Sequence, residues 1–261
     1  MNAESLARDI RLDVRDTEGE SREVLLRPIS YGQAGGLLYE QWLRYNRSLV
    51  ETLSADSPGV IAFDIIFDEA KESDQDEAFA AAIASAGNVV LCEHVQKETL
   101  TVPGPEGQTT TVSVEKRSQP IDLFARPAVG SGPFPLPKRP VRVGQIWLFK
   151  SGAEDIPTLP VVAFQAWALS AFDAFKWTMA QVRSDLGDAL PADREAILWE
   201  GVDVFASRMR ALFRNIPGLA EAMGRAIEDG GFSFEEKAIV KSLLKLYGGS
   251  DSRYLNFYGH P

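Results

Sequence analysis

Val60-Ile-Ala-Phe-Asp-Ile-Ile-Phe67, a short acidic stretch, Glu77-Ala-Phe-Ala-Ala-Ala-Ile-Ala-Ser-Ala86, Gly87 and Asn88-Val-Val-Leu91 follow one another directly. The first run is almost unbroken in apolar, β-branched and aromatic residues, the composition of a strand covered on both faces, and predicts a central strand in a sheet flanked by helices. The Ala-rich run predicts a helix, Gly87 supplies its stop, and Asn88 to Leu91 predicts a second buried strand. Strand, helix and strand with short links form a right-handed βαβ crossover with a local parallel pair. The fold class that follows is α/β.

Working outward, Ile10, Leu12 and Val14 alternate up to a turn at Thr17-Glu18-Gly19-Glu20, and Val24-Leu25-Leu26 reads as a short strand stopped by Pro28. After Gly35-Gly36, the residues Leu38, Trp42, Tyr45, Leu49 and Leu53 stand at helical spacing and predict an amphipathic helix packed through that stripe, ended by Ser57-Pro58-Gly59. Thr and Val alternate on both sides of Pro103-Gly-Pro-Glu-Gly107, which predicts an exposed β-hairpin. Ala128 to Pro140 is rich in Pro and Gly and reads as a loop, Val141 to Phe149 as a strand, and Pro160 as the entry to a long helix bearing Phe164, Trp167, Phe172 and Phe175. Between Pro191 and Gly248 two or three helices are expected, broken at Pro217-Gly218 and Gly230-Gly231, with a capping box at Ser233-Phe-Glu-Glu236. Tyr254 to Tyr258 is a last strand, expected to pair with the core sheet. The expected architecture is a mixed sheet with a central parallel βαβ core, flanking helices, a β-hairpin excursion and a helical C-terminal half. It is read as one domain over 1–261, with a helical subregion at 184–250.

Basic residues number 27 and acidic residues 37, for a net charge of −10. A field of that sign repels phosphate backbones and anionic head groups, which argues against nucleic-acid and membrane-surface binding. Arg208, Arg210 and Arg214 read as a solvated helix face. The single cysteine, Cys92, permits no internal disulfide; His94 shares its face in a strand, but the end of an apolar run suits a small buried residue better than a nucleophile. Met1 to Asp16 has no apolar stretch resembling a signal peptide, and no uninterrupted apolar segment reaches the roughly 18 residues that span a bilayer. As given, the chain reads as soluble.

The densest acidic group is Asp64, Asp68, Glu69, Glu72, Asp74, Asp76 and Glu77, placed at the carboxyl end of the first strand and in the loop after it. Ligands of open α/β sheets gather at that edge, which opens a hard-cation reading. The EF-hand template fails, since Asp74-x-Asp76 lacks the following glycine and the later glutamate. The same carboxylates also suit the N-terminal dipole of the next helix. Acyl-transfer chemistry needs a base beside a nucleophile, and only His94 and His260 are present; Gly130-Ser131-Gly132 lacks the spacing of a nucleophile elbow. No phosphate loop, dinucleotide fingerprint or zinc-ligand set occurs, so no catalytic residue, metal or cofactor is assigned. Asn46-Arg47-Ser48 matches a glycosylation sequon but falls in the predicted helix.

Three segments carry a family resemblance. Val60–Phe67 with its acidic loop and Ala-rich helix to Leu91, Asp155-Ile-Pro-Thr-Leu-Pro160 at a helix start, and Leu255-Asn-Phe-Tyr-Gly259 followed by Pro261 resemble, in order, the most recognisable pieces of the CHASE2 domain. Trp42-Leu-Arg44 is similar to a Trp-Pro-x-Arg segment of that family, without its proline. Pro28-Ile29-Ser30 stands where the family has an Ile-Asp pair, and the family hairpin is hardly visible around Val143 to Glu154, so the chain resembles a divergent branch; residues 1–36 match poorly. The resemblance implies an extracytoplasmic, periplasmic sensory domain of a bacterial membrane receptor, not an enzyme. Such domains are usually preceded by one transmembrane helix and followed by several, then by a cyclase, kinase or similar output. It implies a small-molecule or protein signal, a homodimer in the full-length receptor, no nucleic acid, and membrane attachment only through segments outside this chain, which is therefore expected to be an excised domain. With the acidic edge it gives Trp42, Arg44, Asp64 and Asp68 as ligand-binding candidates. The alternative is a soluble metal-dependent hydrolase using the edge from Asp64 to Glu77.

Overall fold

The structure, a computed structural model, describes residues 10–15, 21–26, 31–70, 74–103, 109–135, 145–150 and 155–254. Strands β1 (Ile10–Arg15) and β2 (Ser21–Leu26), where the sequence reads an alternating segment and a short strand, pair antiparallel. Helix α1 (Tyr31–Ala55) follows, then β3 (Ile61–Ile66), α2 (Asp74–Ala86) ending at Gly87 with φ +65°, and β4 (Val89–Pro103). β3 and β4 pair in parallel from Ile61↔Val89 to Phe63↔Leu91, so the βαβ unit is present as expected.

The centre of the sheet is β4, not β3. Its first residues lie between β3 and the parallel strand β6 (Gly130–Pro133), and from His94 onward it pairs antiparallel with β5 (Thr109–Ser118) in the long hairpin. Among the described residues β3 has β4 as its single partner. Ile61, Phe63 and Phe67 are buried, whereas Ala62 and Asp64 are exposed. The apolar run read as covered on both faces is covered on one. The helices of the other layer sit over β4 and β6 and reach β3 as well, but they leave Ala62, Asp64 and Ile66 exposed at its rim.

β6 forms in the Pro- and Gly-rich stretch expected to be a loop. After the short α3 (Asp122–Ala125) the chain re-enters the sheet beneath two helix starts. A Cβ on Gly132 would stand 2.9 Å from the Leu159 nitrogen and 3.0 Å from the Pro157 carbonyl, and one on Gly130 would meet Asp203 Oδ1 at 3.1 Å. Glycine at these positions allows backbone against backbone, a packing role that composition alone reads as a break.

Beyond β6 come β7 (Gln145–Trp147), β8 (Phe149–Lys150) and β9 (Ile156–Pro157). Helix α4 (Leu159–Ala168), a 3-10 turn (Leu169–Ala171), α5 (Phe172–Val182), α6 (Ser184–Ala189), α7 (Arg194–Glu200), α8 (Val202–Asn215), α9 (Leu219–Asp229) and α10 (Phe234–Gly248) follow. The expected breaks fall at Gly218 and Gly230, and Ser233 with Glu236 forms the capping box. A further break at Gly201, φ +106°, divides α7 from α8 and raises the number of helices after Pro191 to four. Strand β10 (Ser252–Tyr254) pairs with β7 in a separate two-stranded sheet, not with the core sheet; Leu255 to Tyr258 lie outside the described residues.

Alternation along β4 divides the interior. Val89 and Leu91 face a core with Leu43, Phe63, Phe67, Phe79, Ile83 and Phe124, while Val90 and Cys92 face a larger one built on α4, α5, α8 and α10. Full burial of each large side chain contributes about 1.5–3 kcal/mol. Helix α1 enters the first core through Leu43, Asn46 and Val50, with Trp42 and Leu49 of the predicted stripe packed beside them half-buried, while Tyr45 of that stripe is 67% exposed. Its packing face is turned by one residue, because the helix lies against α2 as well as the sheet. Among the described residues no helix is long and apolar enough to cross a membrane.

Candidate functional site

The parallel strands β3, β4 and β6 end at one edge of the sheet, delivering Phe67 and Asp68, Glu93 and Pro133 there. Two side-chain groups occupy this edge.

The first is a groove of about 720 Å³ between α1 and the end of β3, lined by Tyr39, Gln41, Trp42, Ile66, Phe67, Asp68 and Glu69. The Trp42 ring packs on Phe67 at 5.1 Å between centroids and on Tyr39 at 5.8 Å. Phe67 is 2% exposed and anchored from below by Phe63, Phe79 and Phe124, so the floor of the groove is the first core itself. The Tyr39 hydroxyl lies 3.2 Å from both the Glu69 carbonyl and Asp76 Oδ1. Burial, then the Asp76 charge, pushes its proton affinity well above the ordinary phenol range.

Of the four candidate residues, Trp42 and Asp68 meet at this groove. Arg44 is exposed on α1 and is not among the lining residues. Asp64 is exposed on the far face of β3, where its Oδ1 accepts from the Cys92 thiol at 3.6 Å. Burial first, and the Asp64 charge second, push the thiol up to about 12, which keeps it protonated and unreactive at neutral pH. His94 stands instead beside Gln96, with 3.0 Å between Nδ1 and Nε2. Asp74, Asp76 and Glu77 occupy the first turn of α2, where its dipole favours carboxylates. Among the described residues no three His, Cys, Asp or Glu side chains converge to hold a metal ion. Asn46 is buried with Nδ2 donating to the Trp42 carbonyl at 2.8 Å, which closes the sequon to glycosylation in the folded chain.

The second group escapes sequence reasoning. Glu93, 2% exposed, is the last residue of β4 paired with β6. Arg117 on β5 grips it through two nitrogens, with Nη2 at 2.5 Å from Oε1, and Ser131 Oγ on β6 donates to Oε1 at 2.6 Å. Asp203, on the first turn of α8, completes the group. Burial chiefly holds its carboxyl above the usual range, and the nearby Glu93 charge adds to this, while Arg117 and the Ser131 backbone oppose it. The cluster joins the hairpin arm, β6 and α8 through charges that satisfy one another.

The family model of the CHASE2 domain matches residues 41–215, from the groove side of α1 to the end of α8. The chain belongs to the CHASE2 family, an extracytoplasmic sensory domain. No curated protein and no solved structure matches it.

Proposed function

We propose that this chain is the input domain of a bacterial transmembrane receptor, placed on the periplasmic face of the inner membrane and free of catalysis of its own. It takes up a small-molecule or protein signal and biases a cytoplasmic output such as a cyclase or kinase, through a homodimer of the full-length receptor. The observation that carries this reading is the groove of Trp42, Phe67 and Asp68 at the carboxyl edge of the parallel sheet, in a family of sensory domains. Occupation of the groove bears at once on α1, which leads in from the N-terminal side, and on the sheet that holds the helical half. Arg44 and Asp64 lie apart from it and act, in this reading, at most on a larger partner.

Calorimetry with calcium and magnesium, beside assays on phosphoester and ester substrates, separates this reading from a hydrolase on the acidic edge. The sensor reading expects no turnover, and no cation bound more tightly than the micromolar range. Tight binding and hydrolysis that both disappear in Asp68→Asn and Asp74→Asn would establish the enzyme instead.

A further inference from the structure

From the lining of the groove we infer that its ligand is a small organic cation, an alkylammonium or quaternary ammonium compound; the inference rests on the groove being the signal site. Trp42 and Tyr39 bring two partly exposed π-systems to the groove above the buried Phe67 ring, with centroid spacings of 5.1 Å from Trp42 to Phe67 and 5.8 Å from Trp42 to Tyr39. Asp68 and Glu69 line the same groove beside these rings, and the described lining includes no Lys, Arg or His. Aromatic faces attract cations through their quadrupole, and they do so most for weakly hydrated ammonium groups that a carboxylate also neutralises. An anion would meet the Asp68 carboxylate and ring faces of the same sign. A neutral apolar ligand would be held by the rings but would desolvate that carboxylate without compensation.

Size agrees with this class. A cavity of about 720 Å³ falls within the roughly 300–1,000 Å³ range of small-molecule sites, and it is open to solvent along one side. The net charge of −10 gives the chain a field that draws cations toward it. The tyrosine is held in place: its hydroxyl is engaged by the Glu69 carbonyl and by Asp76, so the ring is fixed before any ligand arrives. Preorganisation of this kind lowers the cost of binding.

The test titrates choline and putrescine into the 261-residue chain by calorimetry, with amide and indole NMR as the readout of place. 3,3-Dimethylbutan-1-ol, the neutral carbon isostere of choline, and acetate serve as comparisons. The expected result is that choline or putrescine binds, shifts the Trp42 indole and Asp68 signals, and outcompetes the isostere by about ten-fold or more. Asp68→Asn, a change at an exposed side chain that leaves the fold intact, weakens the cation by roughly two- to five-fold, and Trp42→Leu by roughly ten-fold. Cation binding unchanged in both variants overturns the inference, because the cation then sits elsewhere. Binding of the isostere or acetate in the groove without the cations also overturns it, while the groove stays a ligand site. Silence of the Trp42 and Asp68 signals toward every compound overturns the ammonium assignment, and a broader small-molecule panel that is equally silent there removes the groove as signal site too.

Discussion

Arg210 Nη2 donates to Asp251 Oδ1 at 2.5 Å, across 41 residues of sequence. The arginine is 2% exposed; its Nη1 also donates to the carbonyls of Tyr247 and Gly249, and its carbon stands 4.8 Å over the Phe149 ring. Arg214 reaches both oxygens of the same aspartate at 2.8 and 3.0 Å, and the Asp251 carbonyl accepts from the Leu148 amide at 2.7 Å. One aspartate therefore ties α8, the end of α10 and the start of β8 together. Read from sequence as part of a solvated face, Arg210 is instead an interior clamp on the C-terminal segment, because aromatic and carbonyl groups surround it where α8 crosses α10.

Breaking this clamp from the aspartate side strands a buried guanidinium. Asp251→Ala is expected to cost about 2–4 kcal/mol in urea unfolding, at the lower side of the range for a buried pair because Arg214 shares the aspartate and the carboxylate is partly solvated. Truncation after Gly249 removes Asp251 and β10 together and lowers the melting temperature at least as much. A melt unchanged by truncation contradicts the assignment.

Gly132 is a packing requirement. An alanine there places Cβ 2.9–3.0 Å from the backbone of Pro157, Thr158 and Leu159, which has no flexible end to yield. Gly132→Ala should destabilise by about 1–3 kcal/mol, the usual cost of overpacking. Thermal unfolding equal to that of the parent refutes the account of β6.

Asp203 gives a pH dependence with a definite sign. Its folded proton affinity is raised, so the stability it contributes is present below the ordinary carboxyl range and is lost as pH rises through its folded value. Asp203→Asn has no such loss. The stability of the variant relative to the parent is therefore expected to grow from pH 4 to pH 7, as read by urea midpoints; a constant difference rules out the buried, charge-disfavoured carboxyl.

The thiol behaves in the same sense at alkaline pH. With Cys92 pushed from 9.0 to about 12, its contribution is intact below pH 9 and declines as pH rises through the folded value. At neutral pH a thiol reagent should modify the native chain only at the rate of opening, with full reaction in denaturant. Immediate stoichiometric labelling of the native chain would overturn this.

The βαβ core was legible because its signals are local: β-branched runs, an Ala-rich helix and a glycine stop all lie within Val60 to Leu91. The edge position of β3 was not legible, since neighbours in a sheet are set by β6, whose glycines mimic a loop. The stripe on α1 was legible only in part, with Trp42 and Leu49 at the core and Tyr45 and Leu53 exposed. A 25-residue helix with two overlapping apolar faces takes the one that α2 and the sheet jointly select. At the groove, Trp42 was a candidate through the family resemblance and Asp68 through its place at a strand end, and only the fold sets the two side by side. The Glu93 cluster could have been found from the hairpin: centring it on Pro103 to Gly107 sets Arg117 opposite Glu93, and the observed register, Arg117 opposite Val95, leaves the two one diagonal apart. Asp203 left no such mark, because only the tertiary fold brings α8 to β6.

The outward placement of this domain is the claim on which the functional account turns, and the lone buried cysteine makes it directly measurable. Ser48 is exposed on α1, so Ser48→Cys adds one accessible thiol against a silent Cys92 background. The native gene bearing this change is expressed in its host, and cells with an intact inner membrane are treated with a membrane-impermeant maleimide. The account predicts rapid labelling of Ser48→Cys in these cells, above the level of the parent treated in the same way. Labelling that appears only after the inner membrane is lysed would contradict it.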